Sequence, residues 1–309
     1  MPLVNTKEMF KDAYENHYAV GGFNVDSILM VQSVLKAAND TSSPVIIMIS
    51  KGSREFMHPG NIKEQILCVS KDIKIPFAIH LDHGKSVEIC KEVIDEGFTS
   101  VMFDAGDSDY ETAIKLTREV VLYAHAHGAT VEGELGPVKE FKNQDEKYLT
   151  FTNPALAEDF VKRTGVDSLA VSIGTEHGLF KFKDGEEKTL QFDIIKEIEE
   201  RLPGFPLVTH GSSSMPKENM DRFNNYGGCL KGEGIPEELL TKAASMAVCK
   251  INIGTDFRVA YVGALRKSLT EIKDRFEPRN FLEPAKKACY EIVKDKIINE
   301  FKSANRIKI

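Results

Sequence analysis

The sequence predicts a (β/α)8 TIM barrel with extra helices before and after it, and three observations carry that prediction. Short apolar runs rich in Val, Ile and Phe recur eight times along the chain. Each run is followed by an amphipathic stretch. The runs are continuously apolar, as strands of a parallel sheet buried on both faces are. Eight such units favour a closed barrel over an open sheet.

Taken in order, a lead-in helix is expected from Thr6 to about Tyr18. The eight strand candidates are Ala19–Val25, Pro44–Ser50, Ile75–Leu81, Ser100–Asp104, Thr130–Leu135, Val166–Ile173, Pro206–His210 and Val248–Ile253. The intervening segments have helical periodicity: in Tyr110–Ala126, Ala113, Leu116, Val120 and Ala124 share one face. Pro284 marks the first turn of a closing helix, with an apolar stripe of Ala285, Ala288, Cys289, Ile292 and Val293. Two longer connections stand out, Gly136–Thr152 and Tyr226–Pro236, both candidate mobile loops. With no repeat, low-complexity tract or Pro/Gly-rich linker, residues 1–309 are expected to form one domain.

Composition excludes several function classes. The chain is 42% hydrophobic and 28% charged, the balance of a globular protein with a sizeable core. Net charge is −7 and no segment gathers Lys and Arg, which argues against nucleic acid or an anionic membrane as partner. Five scattered cysteines without a C-x-x-C pair point to reduced thiols. The start lacks a basic-then-apolar leader, and no apolar run approaches membrane-spanning length. A cytoplasmic protein is expected.

Polar residues collect where the strands stop. In a TIM barrel, chemistry sits at the C-terminal strand ends. Here they read Asn24, Ser50, His80-Leu-Asp82-His83-Gly84, Asp104, Glu132-Gly-Glu134, Gly174-Thr-Glu-His177-Gly178, His210-Gly-Ser-Ser213 and Asn252-Ile-Gly-Thr255-Asp256. His83, His177 and His210 come from three strands of one mouth, with Asp104 and Glu134 between them. Three imidazoles leaving one open position are the pattern of a catalytic zinc site. His80 is expected one strand turn below, orienting a ligand. His125 and His127 lie two apart on a helix, point in different directions and belong to the surface. His17 and His58 have no company.

Small residues supply the second half of the pattern. His177-Gly178, His210-Gly211 and Gly254-Thr255 leave backbone N–H groups open to an oxyanion, and Ser213 and Thr255 add hydroxyl donors. The last loops of many TIM barrels, with a helix N-terminus, bind phosphate in this way. Beside a metal, the combination suggests a phosphorylated substrate whose carbonyl meets zinc. Asn24 and Ser50, at their own strand ends, are further candidates for substrate contact.

The strings FAIHLDHG, SVMFDAG, VEGELG, SIGTEHGLFKF, LVTHGSSSMP and KINIGTDFR resemble those of class II (zinc-dependent) fructose-1,6-bisphosphate and tagatose-1,6-bisphosphate aldolases. The likeness runs almost end to end, from GGFNV to FEPRNFLEP and FKSANRI. The resemblance implies zinc on His83, His177 and His210, with Glu134 as an additional or alternate ligand and Asp104 close by for a second metal position. It implies Asp82 as the acid/base on the C4 hydroxyl. Gly178, Gly211, Ser213, Asn252 and Thr255 match the pocket for the C1 phosphate and the enediolate, and Arg258 the contact to the far phosphate. The resemblance further implies a monovalent cation (Na+ or K+) near the phosphate and assembly as a homodimer or homotetramer.

The sequence departs from the family at three places. The loop after the fifth strand reads GPVKEFKNQDEKYL, without the family's Gly pair and paired acids. Glu140 is the best positional match for the loop acid, with Asp145 and Glu146 behind it. Gly254 stands where fructose-type members carry Asp, a change that leans towards tagatose. DAGD replaces DASH after the fourth strand. The expected activity is reversible cleavage of fructose 1,6-bisphosphate to dihydroxyacetone phosphate and glyceraldehyde 3-phosphate. The alternative is the tagatose epimer, and behind that a non-catalytic zinc- and phosphate-binding relative. A barrel metallohydrolase would need His-x-His where Phe23-Asn24 stands. A Schiff-base aldolase would need a mouth lysine, for which Lys250 is the candidate.

Overall fold

The computed structural model describes residues 2–106, 108–138, 145–175 and 189–308. Its strands form one closed parallel barrel in sequence order: β1 (Val20–Asn24), β2 (Val45–Ser50), β3 (Phe77–Gly84), β4 (Ser100–Phe103), β5 (Thr130–Leu135), β6 (Ser168–Val171), β7 (Leu207–Thr209) and β8 (Val248–Ile253). Each falls within or overlaps an apolar run read from the sequence. Closure comes from β1 against β8, with Val20 opposite Lys250 and Phe23 opposite Ile253. The five cysteines are free thiols. Among the described residues no helix is long and apolar enough to cross a membrane.

Two apolar layers hold the barrel. Outside it, strand residues such as Val45, Ile47, Ile79 and Val131 pack against Val31, Val34, Val93 and Val120 of the surrounding helices. Inside, at the N-terminal end, the lead-in helix Lys7–Glu15 contributes Met9, Phe10 and Ala13 to a cluster with Val20, Ile46, Met48, Ala78 and Cys249. That plug closes the bottom and leaves the C-terminal end as the open mouth. Burying a side chain such as Phe10 is worth about 1.5–3 kcal/mol, so the lead-in helix belongs to the core.

The closing helix differs from its expected start. It spans Pro278–Asp295, with Pro278 at the first turn and Pro284 inside. The apolar stripe begins at Ala285 because residues before it are only partly buried or exposed, so periodicity missed the first two turns. Pro278, which lacks an N–H that the first turn would leave unbonded anyway, is the proper start signal. A π-helical turn, Lys296–Glu300, follows.

Candidate functional site

Period 2 in the strands sorts their polar residues into two inward-facing layers. The lower layer includes His80, Glu132 and Lys250, all buried. The upper layer includes Asn24, Asp82, Glu134 and Asn252, which line a cavity of about 520 Å³ at the open mouth. His83, Asp104, Ser50, Gly211, Ser213, Thr255 and Arg258 complete the anticipated lining.

On a regular strand, neighbours Asp82 and His83 would face opposite sides. The β3–β4 register shifts between Leu81 and Gly84, and His83 takes a left-handed φ of 54°. Such a bulge re-aims side chains, and both residues reach the cavity. A non-glycine residue there costs roughly 1–3 kcal/mol, strain of the kind that gathers at functional sites.

Glu134, His83 and His210 each offer a ligand atom, and these lie within 4.8 Å of one another. The two imidazole rings meet edge to face with centroids 4.9 Å apart. Carboxylates crowd the same point: His83 lies 3.0 Å from Asp104, 3.8 Å from Glu134 and 3.9 Å from Asp82. Burial pushes the His83 pKa down, but these carboxylates outweigh it and hold the proton. Two nitrogen donors amid three carboxylates fit a borderline dication such as zinc, whose charge would replace that proton. Among the described residues this is the one cluster of the kind. His177, Gly178 and Glu140 lie outside the described residues.

Asp82 is held through one carboxylate oxygen. Its Oδ2 accepts from Asn24 Nδ2 at 2.7 Å, while Oδ1 is buried with no hydrogen-bond partner among the described residues. Burial favours its neutral form, but the positive field of His210, His83 and Lys250 and the Asn24 bond overcome this, leaving the carboxyl below its ordinary range. Asp104 is also held low, first by the His83 hydrogen bond and also by Lys85. Burial pushes Glu134 up.

The network beneath the mouth was only partly legible in the sequence. Glu132 accepts from His210 Nε2 at 2.8 Å and from Lys250 Nζ at 2.7 Å. Lys250 also lies 3.1 Å from His80 Nε2, and His80 Nδ1 meets Ser100 Oγ at 2.8 Å. Among the described residues His80 thus contacts Ser100 and Lys250 rather than a candidate ligand; burial, then Lys250, lowers its pKa to about 3, so it is neutral. The carboxylate that orients His210 is Glu132. A lysine in the apolar run VCKINI was the available signal, since a strand lysine facing a barrel interior requires a buried acid. Gly22 makes room for it: a Cβ there would sit 2.8 Å from Met48 Sδ and 3.2 Å from Lys250 Cε.

The far side of the cavity collects groups able to meet an anion. Thr255 begins the helix Thr255–Glu271, whose N-terminus carries partial positive charge. Ser213 is buried and Gly211 has a φ of 61°. Arg258 pairs with Asp26 at 2.7 Å and remains partly exposed to the cavity. Asp26, unanticipated from the sequence, also accepts from Ser53 Oγ, whose helix is capped by Ser50. His125 and His127 are exposed, as expected; His125 pairs with Asp167. A larger groove of about 820 Å³ lies on the outer ring, among helices Lys217–Asn225, Thr255–Glu271 and Pro278–Asp295. It holds no ligand cluster, so the smaller mouth cavity is the candidate site.

Residues 4–306 match the family model described as Fructose-bisphosphate aldolase class-II. The chain is 41% identical over 301 residues to a fructose-bisphosphate aldolase of Giardia intestinalis, covering 96% of this chain and 92% of that one. It is 42% identical over 303 residues to a fructose-bisphosphate aldolase of Treponema pallidum, covering 92% and 91%. Among solved structures, the YdjI aldolase from Escherichia coli K12 superposes with a TM-score of 0.81 at 29% identity, covering 99% of this chain and 100% of that one.

Proposed function

The chain belongs to the class II fructose-bisphosphate aldolase family, lyases that depend on zinc, and from that premise we propose that it cleaves fructose 1,6-bisphosphate reversibly to dihydroxyacetone phosphate and glyceraldehyde 3-phosphate. The observation that supports this most is the convergence, at one barrel mouth, of a carboxylate with a buried free oxygen, a His/Glu metal cluster and a helix N-terminus. Residues 1–309 act as one catalytic domain in this reading.

In this reading His83, His177 and His210 hold zinc, with Glu134 as an additional or alternate ligand and Asp104 beside His83. Zinc, when bound, supplies a Lewis acid that draws electron density from the C2 carbonyl. Asp82 Oδ1 takes the proton of the C4 hydroxyl, the C4 aldehyde forms, and the C3–C4 bond breaks with its electron pair left on C3. Asn24 fixes the other carboxylate oxygen, which leaves Oδ1 to take the proton. Glu140 returns a proton to C3. Gly178, Gly211, Ser213, Thr255 and the helix N-terminus hold the C1 phosphate, Asn252 and Ser50 flank the reacting carbons, and Arg258 meets the far phosphate. A monovalent cation beside the phosphate and a homodimeric or homotetrameric assembly rest on the family resemblance.

Gly254 favours a second reading, the tagatose epimer. A Cβ there would lie 3.0 Å from Asn24 Oδ1 and 3.3 Å from an Arg258 guanidinium nitrogen. A side chain at 254 would therefore press on the group that holds Asp82, next to the C4 centre. The test is cleavage of both epimers by zinc-loaded and chelator-treated protein. Zinc-dependent turnover of fructose 1,6-bisphosphate is expected; a hundredfold tagatose preference would reject the fructose assignment.

A further inference from the structure

A buried ion triad lies behind the anion side of the pocket, outside the machinery described above. Lys296 Nζ is 2.8 Å from Asp256 Oδ2 and 2.8 Å from Glu300 Oε2, with all three side chains at most 1% exposed. Lys296 also donates to Ser214 Oγ at 3.0 Å. Asp256 accepts two backbone bonds from the segment after β7, from Ser214 N at 2.9 Å and Met215 N at 2.8 Å. Its own N–H approaches Ser213 Oγ at 3.4 Å. Met215 is held at a left-handed φ of 51°, a conformation that costs of order 1 kcal/mol without such bonds.

The neighbouring loop is fitted to the same segment. Ile235 N donates to the Ser213 carbonyl at 3.0 Å. A Cβ on Gly234 would fall 2.1 Å from the Ser214 carbonyl carbon, so only glycine allows this approach. The connection Tyr226–Pro236 thus braces the segment rather than decorating the surface.

Electrostatics give the triad a purpose beyond packing. Asp256 sits in the first turn of the helix whose N-terminus faces the cavity. A buried unpaired carboxylate there would oppose a phosphate dianion bound at the helix N-terminus, at low dielectric. Lys296 pairs with Asp256 and offsets that charge. Glu300 holds Lys296 from the opposite side, on a π-helical turn of a type often found at functional sites.

We propose that Lys296 and Glu300 are positioning residues for phosphate recognition, acting through Asp256 on the Ser213–Met215 segment. This rests on the reading that Ser213 and Thr255 hold the C1 phosphate. The experiment is calorimetric binding of dihydroxyacetone phosphate to the full, zinc-loaded chain, with zinc content, KM and kcat for fructose 1,6-bisphosphate. Lys296→Met should weaken binding and raise KM about tenfold or more, the size expected for lost charged hydrogen bonds. Zinc content should hold and kcat change far less, whereas a general structural lesion would lower kcat and zinc content together. Glu300→Leu should follow Lys296→Met, and Glu300→Gln, which keeps an acceptor for Lys296, should restore binding. If Lys296→Met does not fold, Asp256→Asn with Lys296→Met and Glu300→Gln removes all three charges of the triad and should show the same loss, because Asn offers one oxygen where Asp256 meets the two N–H groups with separate oxygens. A folded variant that binds like wild type, while Ser213→Ala weakens binding, overturns the proposal alone. Unchanged binding in Ser213→Ala overturns the phosphate reading and the proposal with it.

Discussion

Asn24 Nδ2 donates to Asp82 Oδ2 at 2.7 Å, and the other oxygen of the same carboxylate is buried with no hydrogen-bond partner among the described residues. One oxygen is fixed by Asn24, and the other lies 3.9 Å from His83 Nε2. Asp82→Asn should therefore lower kcat by about 10²–10⁴, the usual worth of a positioned base, with zinc content unchanged. Metal analysis beside steady-state kinetics checks this; loss of zinc would contradict the assigned role. Asn24→Ala should cost roughly tenfold, the worth of one hydrogen bond to a charged group.

His210 is buried in the His83–Glu134–His210 cluster and bonded to Glu132. His210→Ala should lose bound zinc and activity together. Chelation should abolish turnover and lower the melting temperature, since a ligand that binds only the folded state stabilises it. Zinc should restore both. Elemental analysis and thermal melts of the chelated and reloaded protein decide it, and full activity in the stripped protein would reject the metal site.

Lys250 pairs with Glu132 in the barrel interior, where burial opposes the Glu132 charge and Lys250, together with His210 and His80, outweighs it. Lys250→Met removes the cation beside that buried carboxylate, leaving it the His210 hydrogen bond, and should destabilise the fold by about 3 kcal/mol, read as a lower urea midpoint. Adding Glu132→Gln should recover part of the loss. No covalent adduct should form with substrate and borohydride, because this lysine is sealed in an ion pair below the cavity. Trapping at Lys250 would revive the Schiff-base alternative.

Glu300 carries a pH signature. Burial raises its pKa to about 7, against Lys296, which lowers it, and with Asp256 and Glu237, which raise it further. The folded state thus holds the proton more tightly than the unfolded chain. The resulting stabilisation is fully present below about pH 4.5 and is lost as pH rises through 7, a difference of order 3 kcal/mol. Glu300→Gln cannot ionise, so its stability relative to wild type should rise between pH 5 and pH 8. Urea unfolding at both pH values measures it; parallel curves would show that Glu300 does not titrate in this range.

The sequence alone determined the architecture and the chemistry on offer. Eight apolar runs fixed the number and order of strands because burial on both faces leaves no polar alternation to confuse. Strand ends carrying His83, Asp104, Glu134 and His210 marked the mouth, because in this fold strand direction decides which end is open. What only the tertiary structure decided follows from contacts between residues far apart in the chain. The bulge that turns both Asp82 and His83 inward depends on β4, 20 residues on, as His80 opposite Ser100 shows. The pairing of Glu132 with Lys250, 118 positions away, follows from barrel closure. The start of the last helix at Pro278 was hidden because its first turns bury too little to be periodic. Asp256 was legible at its strand end, but its partners Lys296 and Glu300 had no sequence signal: a charge on a C-terminal helix reads as solvated until the fold shows that water cannot reach it.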